Sequence, residues 1–432
     1  MTPLDALRLL SPAAHRCIEP WLDRNLDDYL VELWRGPRTA APWLAPASPV
    51  LPSPTGRALF LDELTATLAA QGHHQRTIDA VRAQLDQVPI VQTADHTQLV
   101  LDPVMFANHV STLIGAWRGD HPYVIVLGSS TNTFTSATRH GPALLAAGED
   151  TLNVFGLTNR ARRNSVYAHP DPVRFAFTAM GTAQPRTAGV AGMLRELLGA
   201  DEHPSAADAY RVANERIWQR FGFADIATLI QLDSAFSARL VARHIRLGAG
   251  PVHDLLFADE DRTRFLRERA AIGRDPRLGG FLRHQTDLVW GVAHGRIRSV
   301  RLVEGMLRDP EGAVAVRYQP EEVAAALDVG LLAPDVCLTF LTANLLPDFG
   351  TLGGPSQLVY VPLLWELAGP SGATALIQGL VDIDSPVDLL DTGLSRGWLD
   401  ELSQRTLLDT MGPMRAFSYL VGMAADNSAS TA

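Results

Sequence analysis

The sequence predicts an α/β protein. It reads as a Rossmann-like parallel sheet core, split in sequence, with a large helical insertion between its halves. Three observations lead there. "PIVQT", "DPVMFANHVSTLIGAW" and "YVIVLG" follow one another between residues 89 and 128, and strand, helix and buried strand in that order make a βαβ unit. A strand–helix–strand pattern returns after residue 310 with "AVAVRY", "QPEEVAAALDVG" and "DVCLTFL". Between the two, about 187–310, apolar residues recur at helical spacing.

Residues 1–56 hold N-terminal helices, as in "LDDYLVELW", and a connection with six prolines from Pro37 to Pro54 that suits an extended chain. Residues 57–186 form the first half of the α/β core. Two amphipathic helices open it, broken near "QGHH"; the strand from residue 89, the loop "ADHTQ" and the next helix follow. Asp102 is placed to cap that helix, and Pro103 suits its first turn. Residues 187–310 are the helical insertion, with helices expected near 189–199, 205–221, 224–247, 254–271 and 280–308. Residues 311–424 are the second half of the core. Its helix has Pro320 near the start, Glu321 and Glu322 in the first turn and Gly330 at the end. Residues 425–432 read as a disordered tail.

Composition limits the chemistry. The chain has 432 residues and 47% apolar residues, enough for a sizeable core. No run of eighteen apolar residues is free of charge and proline, so no membrane span is expected. The N-terminus lacks a basic region before its apolar residues, and Cys17 and Cys337 make no disulfide framework or metal cluster, so a cytoplasmic protein is expected. A net charge of −10 argues against coating nucleic acid. All 37 basic residues are arginine. This excludes a Schiff-base lysine, lysine-bound pyridoxal phosphate and a P-loop lysine. Anions must be held by arginine, backbone N–H groups or hydroxyls. No GxGxxG, HExxH, CxxC or GxSxG motif is present, so no cofactor and no metal is expected.

Ligands of open α/β sheets bind at the carboxyl ends of the strands, and three polar loops fall there. The first is "TADHTQ", with Thr93, Asp95, His96 and Gln98. Asp95 could hold His96 in one tautomer and make it a general base; a capped surface loop is the other reading. The second is "SSTNTFTSATRHG", with Ser129, Ser130, Thr131, Asn132, Thr133, Thr135, Ser136, Thr138, Arg139 and His140. Such a cluster could cradle a phosphate, sulfate or carboxylate, or be a hydroxyl-rich turn. The third is "TLGGPSQLVY". Gly353 and Gly354 permit close backbone approach, Pro355 starts a short helix, and Ser356, Gln357 and Tyr360 follow. Two weaker features are "NRARRN" (Arg160, Arg162, Arg163) and "RHQTDLVWGVAH" (His284, Asp287, His294). The first could clamp an acidic substrate or an acidic carrier protein, or be a solvated face. In the second, His284 and Asp287 would share a helix face.

Residues 334–360, "PDVCLTFLTANLLPDFGTLGGPSQLVY", resemble a segment of the bacillithiol-synthesis cysteine-adding enzymes (the BshC family) ending in Gly-Gly-Pro-x-Glu-Ile-Ala-Tyr. Gly353, Gly354, Pro355 and Tyr360 match, with Gln357 in place of glutamate. "IVQTADHTQLVLDPVMFANHV" is similar to that family's Thr-Gly-x-Gln-x-x-Leu-x-x-x-Pro pattern through Thr93, Leu99 and Pro103, with Ala94 replacing glycine. The resemblance implies a Rossmann-like core with helical connections. The family's acidic Glu-Asp-His-Asp segment is replaced here by "SSTNTF", which implies a changed substrate.

The function expected from these readings is cofactor-independent C–N or C–S bond formation in bacterial specialised-metabolite biosynthesis. An amine or thiol would attack, either between molecules or within one molecule with loss of an anion such as sulfate and closure of an aziridine-type ring. His96 and Asp95 would be catalytic. Thr93, Gln98, Ser129–Asn132, Arg139, His140, Gly354, Ser356, Gln357 and Tyr360 would bind substrate. The expected partner is a small amino-acid-like anion, free or on an acidic carrier protein, with a further subunit possible and neither nucleic acid nor membrane involved. An ATP-dependent or BshC-like amino-acid ligase, and a non-catalytic binding partner of another biosynthetic protein, are the alternatives.

Overall fold

A computed structural model of the chain describes residues 53–102, 105, 109, 112, 113, 116, 120–135, 141–147, 150–181, 185–274, 286–352, 364 and 367. The expected N-terminal helices, most of the proline-rich connection, the helix start at 353–360 and the tail at 425–432 lie outside these residues. Within them the chain is a mixed α/β protein of two compact units. One unit takes the described residues up to Thr93, Ala235–Val292 and those from Arg298. The other takes Ala94–Ser234 and Ala293–Ile297. Among the described residues no helix is long and apolar enough to cross a membrane.

The first unit opens with α1 (Pro54–Ala70). Ser53 accepts a bond from the Gly56 amide at 3.3 Å, and Pro54 fills the first turn, where no N–H is needed. α2 (Gln75–Gln87) follows a turn at Gly72, whose φ is +86°. α1 buries Phe60, Leu64 and Leu68, with the Phe60 ring edge-on to Phe236 and Phe349. A Cβ at Gly56 would lie 2.7 Å from that of Leu346, so the contact requires glycine. The start of β1 (Ile90–His96) pairs in parallel with β13 (Gly350–Leu352), Ile90 opposite Gly350. Glu63, 2% exposed, is neutralised by Arg239 at 2.6 Å and Arg243 at 2.8 Å.

The second unit is built on β1, β2 (Tyr123–Ser129) and β6 (Thr228–Leu232), in that order across the sheet. β2 and β6 are parallel, with Tyr123 opposite Thr228. Between β1 and β2, Asp102 accepts from the Met105 amide at 3.3 Å, and Met105, His109, Thr112, Leu113 and Ala116 are helical and buried. The cap expected there is present, and the described residues after it are helical. A second sheet, antiparallel, joins β3 (Leu144–Ala147), β4 (Asp150–Asn153) and β5 (Thr178–Ala179). It shares an aromatic core of Phe134, Phe155, Phe175, Phe177 and Tyr210, the last donating to the Pro142 carbonyl at 2.6 Å. α3 (Pro185–Leu198) and α4 (Ala206–Arg220) complete the unit.

The stretch read as a mostly helical insertion is corrected in two places. α5 (Ser234–Ile245), α6 (Pro251–Phe257) and α7 (Asp259–Arg274) are helices, but β6 interrupts the helix expected over 224–247. Its residues Leu229, Ile230 and Leu232 are buried beside β2. The helix expected over 280–308 is, from residue 289, the strands β7 (Val289–Ala293), β8 (Arg296–Ser299), β9 (Arg301–Val303) and β10 (Met306–Arg308). The cause is two turns of paired left-handed residues. His294 (φ +52°) precedes Gly295 (φ +76°), and Glu304 (φ +49°) precedes Gly305 (φ +73°). Consecutive positive φ angles are what a two-residue hairpin turn demands. β11 (Ala315–Arg317) then pairs antiparallel with β10. α8 (Pro320–Asp328) keeps the expected proline, first-turn glutamates and closing Gly330 (φ +73°). β12 (Leu332–Pro334) pairs antiparallel with β7.

The buried strand expected at "DVCLTFL" is the helix α9 (Val336–Phe340), continued by a π-turn over Leu341–Leu345. Asp335 caps it, accepting from the Leu338 amide at 2.9 Å, while Arg269 donates to the other carboxylate oxygen at 2.6 Å. A short apolar run is compatible with either structure, and the cap decides.

Candidate functional site

The hydroxyl loop after β2 and the end of β1 come together in the second unit. β1 extends through His96 rather than ending before "ADHTQ". The Thr97 amide donates to the Ser129 carbonyl at 2.8 Å, which sets residues 96–98 beside 128–130. Gly128 permits this approach, since a Cβ there would lie 3.0 Å from Thr97 Oγ1. Residues 130–135 are held by Asn164, which ends "NRARRN", and by the turn that follows it. The Tyr167 amide donates to Ser130 at 2.7 Å, that of Val166 to Asn132 at 3.0 Å, and the Phe134 amide to Asn164 at 2.9 Å. The Ser130 amide donates to Ser234 Oγ at 2.9 Å, just past the carboxyl end of β6. The loop therefore has little freedom before any ligand arrives.

Within this frame Ser130 is fully buried, yet among the described residues its Oγ has no hydrogen-bond partner; neither have the buried Thr97 Oγ1 and Asn132 Oδ1. Buried polar atoms are normally satisfied, and an exception calls for a cause. The two hydroxyls can donate to an anion or a carbonyl. The amide oxygen can accept from an amine or hydroxyl. All three lie within three residues of the carboxyl ends of β1 and β2.

The remaining expected residues have definite places. His96 is exposed at the end of β1. The Asp95 side chain lies outside what is described, as do Ser136, Thr138, Arg139, His140, His284, Gly353, Gly354, Pro355, Ser356, Gln357 and Tyr360. Thr93 is buried in the first unit with its Oγ1 unpartnered. Gln98 lines a cavity of about 10 Å³ with Asp102, Pro142 and Val154, room for about one water. Ser129 and Thr131 share a hydroxyl–hydroxyl bond of 3.2 Å. Thr133 and Thr135 are occupied by carbonyl oxygens of Thr135 and Arg162. Arg160 and Arg163 are exposed, and Arg162 is buried. Asp287 is not on a helix face. It accepts from Arg262 at 2.8 Å, Arg301 at 2.7 Å and the Leu302 amide at 3.0 Å, a structural role. His294 is exposed in the β7–β8 turn.

Sequence reasoning missed Thr97, Ser165, Ser234 and Asn214. Ser165 donates from Oγ to the Ser130 carbonyl at 3.3 Å. Asn214, buried in α4, accepts from the Val100 amide at 2.8 Å and donates to the Gln98 carbonyl at 2.9 Å and to Gln231 Oε1 at 3.0 Å. It ties the chain just after His96–Thr97 to β6. Its signal was readable: a carboxamide on the otherwise apolar face of Tyr210, Ala213, Ile217 and Trp218. Behind the loop, burial holds the His169 imidazole below its ordinary pKa, with Asp171 opposing. Burial also lowers His203, with Arg216 adding to the effect. Among the described residues no group of His, Cys, Asp and Glu could hold a metal ion.

No known family model matches the chain, and no curated protein sequence matches it.

Proposed function

We propose that the chain is an enzyme that forms a C–N or C–S bond on a small amino-acid-like anionic substrate, using a Rossmann-like core and no redox cofactor. The observation that carries this reading is the set of unpartnered buried atoms, Thr97 Oγ1, Ser130 Oγ and Asn132 Oδ1, at the carboxyl ends of β1 and β2. In the reaction an amine or thiol of the substrate attacks carbon. The C–O bond to an anionic group such as sulfate breaks, and the bonding pair leaves with the anion. The proton of the nucleophile passes to His96, which adjoins the loop at the end of β1. Thr97 and Ser130 donate to the departing anion, and Asn132 accepts from the amine. Fixing nucleophile and leaving group in line supplies much of the rate, and hydroxyl donors aimed at the developing charge supply more. The likeness of residues 334–360 to the cysteine-adding family supports the C–N or C–S class. Its missing acidic segment supports a substrate whose anionic end faces the hydroxyls.

The test is turnover of serine O-sulfate, which carries amine, carboxylate and leaving group together. Sulfate release would be followed by ion chromatography and the ring product by mass. Release that disappears in His96→Ala and falls at least tenfold in Ser130→Ala supports the proposal. Release unaffected by either substitution, or its absence in the wild type, counts against it. A melting-temperature rise with ATP alone would favour the ligase reading.

A further inference from the structure

The middle arginine of "NRARRN" is not absorbed by the proposed reaction. Arg162 lies in the single 3₁₀ turn Ala161–Arg163 and is 9% exposed, while Arg160 and Arg163 on either side are exposed. Its guanidinium donates to Asn159 Oδ1 and, through Nη1, to Met180 Sδ at 2.8 Å. Among the described residues no carboxylate pairs with it. A guanidinium stays charged at every physiological pH and carries five N–H donors. Buried charges are as a rule paired, because water no longer stabilises them. Here the partners are a neutral amide and a thioether, and a thioether is a weak acceptor.

We propose that Arg162 is a receptor for an oxyanion, a carboxylate or a sulfate or phosphate group, which takes the place of Met180 Sδ on the guanidinium. Met180 is 44% exposed, so it covers the cation without being part of the core. The arginine is held ready. Its amide donates to the Thr158 carbonyl at 2.9 Å, and its own carbonyl accepts from the Thr135 amide and Thr135 Oγ1, each at 3.2 Å. Asn159 holds one edge of the fork, and the edge under Met180 presents the N–H donors that match an oxyanion. Arg160 and Arg163 add positive potential that raises the local anion concentration. The receptor uses none of Thr97, Ser130 and Asn132, and it does not rest on the proposed reaction.

The experiment is calorimetric titration of the full chain with sulfate, phosphate and acetate at constant ionic strength. The wild type, Arg162→Gln, Arg162→Lys, Met180→Ala and Ser130→Ala would be compared. The expected result is saturable binding that weakens at least tenfold in Arg162→Gln and less in Arg162→Lys. Affinity tightens several-fold in Met180→Ala. Sulfate and phosphate without acetate would assign a tetrahedral dianion, and acetate alone a carboxylate. No saturable binding by the wild type, or equal binding by Arg162→Gln, overturns the proposal. If Arg162→Gln does not fold, Met180→Ala decides, and unchanged affinity there overturns it. Loss of binding in Ser130→Ala with Arg162→Gln unaffected would place the anion at the hydroxyl loop instead.

Discussion

Replacing Asn214 by leucine should loosen the end of β1 before it unfolds the protein. Asn214 is 4% exposed and makes three bonds of 2.8–3.0 Å. Leucine keeps the branching and the number of side-chain heavy atoms but is bulkier, so any strain adds to the loss. It strands the Val100 amide and the Gln98 carbonyl inside the protein. Each stranded group costs about 1–3 kcal/mol. The added apolar burial returns about 1 kcal/mol. The net loss should therefore be about 3 kcal/mol. Gln231 loses one partner as well, so a cycle with Gln231→Ala should show a coupling of about 0.5–1.5 kcal/mol. Urea unfolding followed by circular dichroism gives the global loss. Amide hydrogen exchange gives the local one, with Val100 exchanging faster in the variant than amides of β2. A loss under about 1 kcal/mol, or an unchanged Val100 rate, would show that Asn214 does not hold this segment.

Two further outcomes follow from buried groups. Burial lowers His244 from 6.5 to about 4, and among the described residues its Nε2 has no partner. The unfolded chain therefore binds a proton between those values that the folded chain refuses. His244 thus adds no penalty at pH 7, and stability falls as pH drops through 6.5, by about 3 kcal/mol on reaching pH 4. His244→Gln should flatten that part of a pH–stability curve, and an unchanged curve would mean that His244 is protonated in the fold. Gly295→Ala would place a Cβ 2.7 Å from the Asn164 side chain at a φ of +76°. It should lower the melting temperature by several degrees, from strain of about 1–2 kcal/mol, and a variant as stable as wild type would argue against the turn.

What the sequence made legible was local. Asp102 before its helix and the proline, glutamates and glycine around α8 act through neighbours in the chain. They stand as expected. "YVIVLG" is a strand because a short run apolar on every side has to be buried on both faces. The same logic failed at "DVCLTFL", where Asp335 supplies a helix cap that an apolar run cannot reveal. It failed again at "HG" and "EG", where glycine after a polar residue marked hairpin turns inside what looked like a helix. The site divides the same way. Ser129–Asn132 were readable because they are contiguous and follow a strand. Thr97, Ser165 and Ser234 meet that loop through bonds across more than thirty residues of sequence, and Asn214 holds the neighbouring chain at Gln98 and Val100. Ser130 itself has partners for its amide and carbonyl but none for its hydroxyl, which only coordinates reveal.

The central claim is that the unpartnered atoms at the ends of β1 and β2 hold the substrate. The most direct measurement is calorimetric titration of serine O-sulfate into Arg162→Gln protein, with and without the added changes Ser130→Ala and Thr97→Val. That background removes the second anion receptor. Saturable binding is expected in Arg162→Gln, weakened at least tenfold by each added hydroxyl deletion, one hydrogen bond to a charged group being worth about 1.5–3 kcal/mol. Equal affinity in all three proteins, with their folds intact, would contradict it.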